Sequence, residues 1–532
     1  MAYSLVHLDP AIVLFVTLGI VLALLLANRL QARRSLPLPP GPRRLPLIGN
    51  YLDLPTVKPW LVYNKWARQY GNVIYMYLPM QPVVILNSAR AAFDLMEKRS
   101  SNYSDKLFMT IDEMTGWDWN FSILPYGQRW RDRRRVFHHY FNQNAVAHYH
   151  PVQLRETRAF LQRLLARNFS VESARLTTAA IIVGIVYGKQ VKDLNDDYIT
   201  LANRAFEAVI GARRPGAFWV DYLPFLRHIP SWVPGTASKA FAATHRPTIL
   251  ELRDEAFFAV KQQYVEGTAN PSIVQTILES LYSQPASDLA SLQERENVAR
   301  DATSGAFLGA VDTSLIGTLV FVLAMAMHPD IQRKAQAQLD EVLGSSRLPT
   351  FEDYGSLPYI HAIILEALRW MPPAPLGLPH RAMKTDEYNG YKIPEGALVF
   401  PNIWAMLHDP ETYPDPETFN PDRFIKDGVL HAGTMDPSVV VFGFGRRICP
   451  GRFMGRETMF ITAASILSVF DILPALGDDG KPVQLRAETT NGLLSYPANV
   501  PCVVRPRNAV AEQLIREALV GGSIRAVEIC GL

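Results

Sequence analysis

Cysteine is scarce in this chain: 532 residues hold three, Cys449, Cys502 and Cys530, too few and too irregularly spaced for a disulfide framework or a four-ligand zinc site. The chemistry is therefore expected on the reducing side. Cys530 stands third from the last residue, whereas a prenylation box needs the fourth, so a lipid anchor there is not supported. An excess of charge of one sign is also missing. Lysine and arginine number 53 against 50 aspartates and glutamates, and a net +3 over this length gives no case for nucleic acid as a partner. Charged residues make up only 19% of the chain and hydrophobic residues 48%, which suits a large buried core with some membrane-facing surface. No internal repeat is evident between residues 51 and 505, and nothing reads as a flavin or nicotinamide domain.

Apolar residues concentrate first at the amino terminus. From Ala11 to Ala27 nearly every residue is apolar, and with Leu30 the run 11–30 is just long enough to span a bilayer at about 1.5 Å per residue. Arg29, Arg33 and Arg34 follow, and by the positive-inside rule they hold the downstream chain in the cytosol. No small-x-small cleavage site precedes this basic cluster, which argues against a removed signal peptide. Residues 31–50 form a basic, proline-rich hinge in which Leu36-Pro37-Leu38-Pro39-Pro40-Gly41-Pro42 is expected to be a stiff spacer. Residues 51–505 read as one catalytic body. The tail, 506–532, alternates apolar and charged residues without obvious pairing upstream. Three Asn-x-Ser sites, at Asn102, Asn120 and Asn168, fall on the cytosolic side and are read as chance.

Within the body helical patterns dominate. Val298 to Met327 is one apolar run that ends at His328-Pro329-Asp330, where proline stops one helix and starts the next; it is expected to cross the core. Asp330 to Leu343 carries apolar residues at spacings of three and four and closes on Gly344. Strand signals cluster late: Asn389-Gly390 predicts a tight hairpin, with a further strand near Leu398 to Phe400. The fold class is mainly α with a small β region.

Cys449 is set in Phe442-Gly443-Phe444-Gly445-Arg446-Arg447-Ile448-Cys449-Pro450-Gly451. A lone cysteine most often packs as a small hydrophobe. Here the glycines allow positive φ and close approach to a flat ligand, and the arginines offer donors and charge for anionic groups. Sulfur among backbone N–H groups and near cations ionises readily, and a thiolate ligand favours O–O cleavage at haem iron. The spacing Phe-x-x-Gly-x-Arg-x-Cys-x-Gly, from Phe442 to Gly451, resembles the haem-binding loop of the cytochromes P-450, the haem-thiolate monooxygenases.

Other segments carry the same resemblance in the family's order. In Gly309-Ala310-Val311-Asp312-Thr313-Ser314 an acid and two hydroxyls interrupt an apolar helix, where polar groups are costly without partners. The hydroxyls could bond back to carbonyls one turn earlier. The segment is similar to the family's oxygen-activating element, which implies that Thr313 and Asp312 direct protons to dioxygen; Ala310 departs from it, standing where glycine is usual. Glu366-Ala367-Leu368-Arg369 resembles the Glu-x-x-Arg pair, and Pro421-Asp422-Arg423-Phe424 the element whose arginine completes it, implying a structural network of Glu366, Arg369 and Arg423. Trp130 and Arg134, four apart on one helix face, match Trp-x-x-x-Arg and are suited to carboxylates. With Arg447, and one of His380 or Arg381, they are implied contacts of the haem propionates. Arg131, Arg133 and Arg135 are expected on the cysteine side, either as a solvated face or as a dock for an acidic flavoprotein.

The resemblance implies the cytochrome P-450 fold and a microsomal enzyme, single-pass in the endoplasmic reticulum membrane, with haem (heme b, iron protoporphyrin IX) ligated by Cys449. It inserts one atom of O2 into an organic substrate with electrons from NADPH through NADPH-cytochrome P-450 reductase, and cytochrome b5 is a further candidate partner. Apolar walls are expected from Ser104 to Leu124, around Phe307 and Ala310, from Ala374 to Pro379, and at Asn491-Gly492-Leu493-Leu494, matching a lipophilic ligand. The aromatic stretch Phe218 to Trp232 is either core or a lipid-dipping access route. The wording around Gly116-Trp117-Asp118-Trp119-Asn120 looks like fungal members, many of which serve secondary metabolism or xenobiotic oxidation. Terpenoid, polycyclic aromatic and steroid-like substrates all fit. A haem-thiolate isomerase or dehydratase, and a non-catalytic haem carrier, are the rival classes; neither needs the Asp312-Thr313 pair.

Overall fold

The computed structural model describes residues 36–193, 195–212, 218–233, 235–283, 289–344 and 346–519. The apolar run 11–30 lies outside them, as do residues 31–35 and 520–532. Among the described residues the one helix long and apolar enough to cross a membrane is Leu289–Met327, which is internal and largely buried.

That helix organises the molecule. Its apolar residues point in all directions, so it is stable only when surrounded, as a helix apolar all round must be. Its first half, through Ala299, Ala306, Phe307 and Val311, joins one hydrophobic core with the helices Gln128–Phe141, Val171–Tyr187 and Ala237–Val265. Its second half, from Leu315 to Ala326, joins another with Pro358–Trp370 and Arg452–Val469. Between the two cores one face is left accessible: Gly309 and Thr313 are exposed and Ala310 and Ser314 half-buried, in a stretch whose neighbours are nearly all closed in. Positions 309, 310, 313 and 314 share one side of a helix of 3.6 residues per turn.

The amphipathic helix runs from Pro329 to Leu343 and closes on Gly344 at φ +61°, as its pattern predicts. The Asn389-Gly390 turn joins strands Asp386–Tyr388 and Tyr391–Ile393, both turn residues at positive φ (52° and 78°). The larger sheet differs from expectation. Its four strands are ordered Val73–Leu78, Gln81–Leu86, Leu398–Pro401 and His380–Arg381, so half of it comes from the amino-terminal part rather than late in the chain. The Val73/Gln81 hairpin was obscured because it turns through Pro79-Met80, with Met80 at φ +61°, in place of an Asn-Gly signal.

The proline-rich segment is stitched to this sheet. Tyr75 N–H donates to Pro40 O at 2.9 Å and Lys392 N–H to Pro37 O at 2.8 Å. Gly41 is required there, since a Cβ would stand 2.0 Å from Tyr75 O. The first part of the tail is also docked. Arg507 forks onto Asp340 at 2.6 and 2.8 Å, and helix Ala509–Glu517, capped by Asn508, buries Ala511 and Ile515 in the second core.

Candidate active site

The cysteine loop is held from below and left open above. Phe444 is buried and meets Phe93 edge-on at 5.6 Å, and Gly445, at φ +57°, lies so close to the Met96 carbonyl that a Cβ would stand 2.2 Å from it. At Gly443, φ +78°, a Cβ would meet nothing within 4 Å, so the loop presents backbone to open space. Cys449 follows at the amino end of helix Arg452–Val469, its N–H donating to Phe442 O at 2.7 Å. Phe442 itself is half-buried against the second core. Burial pushes the Cys449 thiol up from its ordinary pKa, while the Gly451 N–H, Arg134 and Arg452 pull it down. The helix amino terminus favours negative charge at this sulfur.

Around the loop the structure gathers the cations named from the sequence. Arg447 lies over the Trp130 ring at 4.4 Å and donates to the carbonyls of Ser104, Leu124 and Phe121 at 2.7, 2.7 and 3.2 Å. Burial, with Arg134 nearby and against the pull of Asp105, brings its pKa down to about 9. Arg134 is lowered to about 10, again chiefly by burial. Among the described residues Arg134 makes no hydrogen bond or ion pair. Two neighbouring, half-buried arginines, one without a hydrogen-bond or ion-pair partner among the described residues, are costly to desolvate unless an anion joins them. His380 and Arg381 are separated: His380 is buried, its Nδ1 2.5 Å from Tyr103 O beside Lys106 and Arg447, whereas Arg381 is turned out toward Asp105 at 3.6 Å. Burial and these cations hold His380 well below the ordinary histidine range.

Phe121 links this cluster to the long helix: its carbonyl accepts from Arg447 and its ring lies against Gly305, one turn before the accessible face. Thr313 Oγ1 donates to Gly309 O at 2.8 Å, the back-bond open to such a hydroxyl, yet its side chain stays exposed in the gap. Asp312 points away, to the helix Val171–Tyr187, where Arg175 Nη1 lies 2.7 Å from its carboxylate. Phe121 closes one side: its ring occupies the space of a side chain at Gly305, whose Cβ would come within 2.6 Å of it.

Two expectations need correction, and two residues carried no signal. Arg133 is not on a solvated face; it is buried and forks onto Asp301 Oδ2 at 2.6 and 2.8 Å, because the helix Gln128–Phe141 turns that side to the long helix. Phe307 is 1% exposed and meets Tyr187 and Tyr198 at 6.4 and 6.0 Å, so it belongs to the first core and not to the open face. Arg175 and Lys106 were missed. Arg175 is 137 positions from its partner, and Lys106, buried with Nζ donating to Leu378 O at 2.8 Å, carries no motif.

Glu366, Arg369 and Arg423 come together as expected. Arg369 and Glu366 are completely buried and paired at 2.7 and 2.8 Å, and Arg423 reaches the same carboxylate at 3.2 Å.

A cysteine loop with open backbone, a half-buried arginine without a hydrogen-bond or ion-pair partner among the described residues, and an accessible helix face carrying the Thr313 hydroxyl suit a flat, anionic, metal-bearing group. The Cytochrome P450 family model matches residues 39–499, and the chain belongs to that family, which binds haem iron. It is an oxidoreductase, similar to fungal cytochrome P450 monooxygenases throughout: COX1 of Coprinopsis cinerea (39% identical, 92% of this chain and 96% of the relative). A monooxygenase of Armillaria gallica is 39% identical over 96% of this chain and its own whole length, and ple1 of Rhodocybe pseudopiperita is 37% identical over 91% and 92%.

Proposed function

We propose that the chain is a membrane-anchored haem-thiolate monooxygenase that oxidises a lipophilic organic substrate with electrons from NADPH delivered by a separate reductase, in fungal secondary metabolism or xenobiotic oxidation. The observation that carries this reading is the juxtaposition of Cys449 with the half-buried Arg134, which has no hydrogen-bond or ion-pair partner among the described residues, and with Arg447 stacked on Trp130. Haem bound there supplies dioxygen binding and activation. The protein supplies the rest. Cys449 provides the thiolate, and Trp130, Arg134, Arg447 and His380 receive the two carboxylates, with Arg381 outside. Glu366, Arg369 and Arg423 hold the segment behind the loop. Thr313, on the accessible helix face, positions the proton needed for productive oxygen cleavage, and Asp312 supplies it.

Reduction of the membrane-bound protein followed by carbon monoxide is expected to give the thiolate-type Soret shift, with product formation requiring both NADPH and reductase. Turnover without either would transfer the protein to the isomerase class. Thr313→Ala should bind substrate normally but divert most reducing equivalents to hydrogen peroxide, lowering product per NADPH roughly 10-fold or more. Full coupling in that variant refutes the role of Thr313.

Two exposed arginines support the docking of an acidic partner on the cysteine side. Arg131 and Arg446 flank the Tyr126 ring at 5.6 and 5.3 Å, and they replace the buried Arg133 in that role. The double charge reversal Arg131→Glu, Arg446→Glu is expected to slow reduction by the reductase about 10-fold at low salt, with the difference closing as salt rises. Rates equal to wild type at low salt would remove this surface from the pathway. Trp219, Phe225 and Trp232, at 64, 57 and 82% exposure, support contact of that segment with lipid of the endoplasmic reticulum.

A further inference from the structure

One turn of wide helix grips the cysteine loop from far away in the chain. Residues Phe93–Glu97 form a π-turn, closed by Lys98 N–H donating to Phe93 O at 2.9 Å, and the short helix Ala89–Ala92, capped by Ser88, runs straight into it. Such turns are rare and occur mostly where function calls for them. The wider turn brings residues four apart closer to alignment than the about 40° offset of an α-turn, so Phe93 and Glu97 reach the same neighbour. That neighbour is the loop. Phe93 meets Phe444 edge-on at 5.6 Å, Met96 O fills the space over Gly445, and the Glu97 carboxylate accepts the Gly445 N–H at 2.5 Å, 348 positions away in sequence. Leu95 and Met96 are fully buried, which fixes the turn and leaves Glu97 at the surface.

The bonded amide opens the last turn before the sulfur. Gly445–Arg447 is a single 3-10 turn, and Gly445 O accepts the Ile448 N–H at 3.1 Å, one residue before Cys449. Holding Gly445 at both its N–H and its carbonyl therefore fixes the path from Phe444 to Cys449. The neighbouring acid of the π-turn is engaged elsewhere: Asp94 accepts from Lys98 at 2.7 Å and from the Tyr388 hydroxyl at 3.0 Å. Glu97 makes no ion pair among the described residues, so its carboxylate is committed to the loop amide. A bond to an ionised acceptor is roughly twice as strong as a neutral one.

We propose that Glu97 is a positioning residue for the thiolate: its carboxylate, presented by the π-turn, holds the Gly445 amide and through it keeps the Cys449 sulfur in place for the iron. The inference rests on the haem-thiolate reading above. Glu97 acts through the backbone of the loop. Gly445 takes part by lacking a Cβ, which lets Met96 O and the Glu97 carboxylate close on it together. Without the carboxylate, water competes for an amide at the surface and the loop loosens. The sulfur then takes a proton from water more often, and thiolate becomes neutral thiol.

The test uses the full-length, haem-loaded, membrane-bound protein, reduced and held under carbon monoxide. Wild type must first show the thiolate-type Soret shift; its absence overturns the haem-thiolate reading itself. Glu97 is exposed, so its truncation leaves the hydrophobic cores intact. Glu97→Ala is expected to show the shift at once but to pass to the neutral-thiol spectrum about 10-fold faster on mild warming, below its unfolding midpoint. Glu97→Gln, whose amide oxygen still accepts the N–H, should recover most of that lifetime. Asp94→Asn removes the same charge from the same turn and should behave as wild type. Hydrogen exchange of residues 442–448, followed by mass spectrometry without substrate or reductant, supplies a readout independent of turnover: an amide there should exchange about 10-fold faster in Glu97→Ala and close to the wild-type rate in Glu97→Gln. Wild-type exchange and thiolate lifetime in Glu97→Ala, with only the thermal midpoint lowered, overturn the proposal and leave a packing contact. An equal loss in Asp94→Asn also overturns it, since surface charge and not the bond to Gly445 would then be the cause.

Discussion

Cys449→Ala is expected to abolish turnover and the thiolate-type Soret shift while leaving the fold in place. The sulfur stands at the one point where a helix amino terminus, the Gly451 N–H and two arginines converge, and none of these groups has another anion to serve among the described residues around it. Alanine removes the ligand and leaves that electropositive site unmet. Folding is spared because the Cys449 side chain is not part of a hydrophobic core, unlike its neighbour Phe444. Circular dichroism and thermal unfolding of the apo-protein should match wild type, and the carbon monoxide difference spectrum should be empty. Cys502 is the control. It is 4% exposed in the second core, and burial pushes its thiol up to about 12, so Cys502→Ala should keep both spectrum and turnover. A Cys449→Ala protein that retained the thiolate-type Soret shift would show that another residue carries the iron.

Local motifs were legible in the sequence because their geometry is nearly local. Glycines at fixed distances from Cys449 adopt the positive φ that the loop needs, and the apolar run after Val298 can only be a surrounded helix. Partners remote in the chain were not legible. Asp312 announced that it needed a partner, but nothing in helical spacing selects Arg175 over other arginines. Arg133 illustrates the converse. Within a run of arginines its charge reads as solvated, and only the packing of two helices, 168 positions apart in the chain, reveals Asp301 opposite. Phe121 against Gly305 belongs to the same class, since a glycine in a helix does not name the ring that fills its space. The first hairpin was hidden for a different reason: Met80 adopts a left-handed conformation unusual for its type, and the turn carries Pro79 but no glycine or asparagine at the left-handed position.

Arg369→Ala is expected to be the most damaging change outside the haem pocket, through stability. Arg369 is wholly buried and uses all its nitrogens: Nε and Nη2 donate to Glu366, Nη1 to the carbonyls of Leu407 and Pro416 at 3.0 and 2.7 Å, and Nη2 to Thr418 O at 3.2 Å. These bonds tie helix Pro358–Trp370 to the irregular chain between Leu407 and Phe424, for which backbone pairing is sparse. Glu366 also accepts from the Asn420 N–H at 2.8 Å, so the pair shapes the segment leading to the cysteine loop. Truncation leaves the buried carboxylate with only Arg423 as a cation and takes the Arg369 donor from the carbonyls of Leu407 and Pro416, while Thr418 O keeps Arg423 Nη2 at 3.3 Å; breaking a buried pair this way costs about 3–5 kcal/mol. That is a large part of the roughly 5–15 kcal/mol by which a domain is stable. Lysine should not rescue, because a single ammonium cannot reproduce a fork to five acceptors. Arg423→Ala, which removes a longer contact and leaves the Glu366–Arg369 pair intact, should lose much less. Haem content and the thermal midpoint of the expressed protein check the series, and an Arg369→Ala variant with wild-type values of both would show that the scaffold behind Cys449 is held by the hydrophobic core alone.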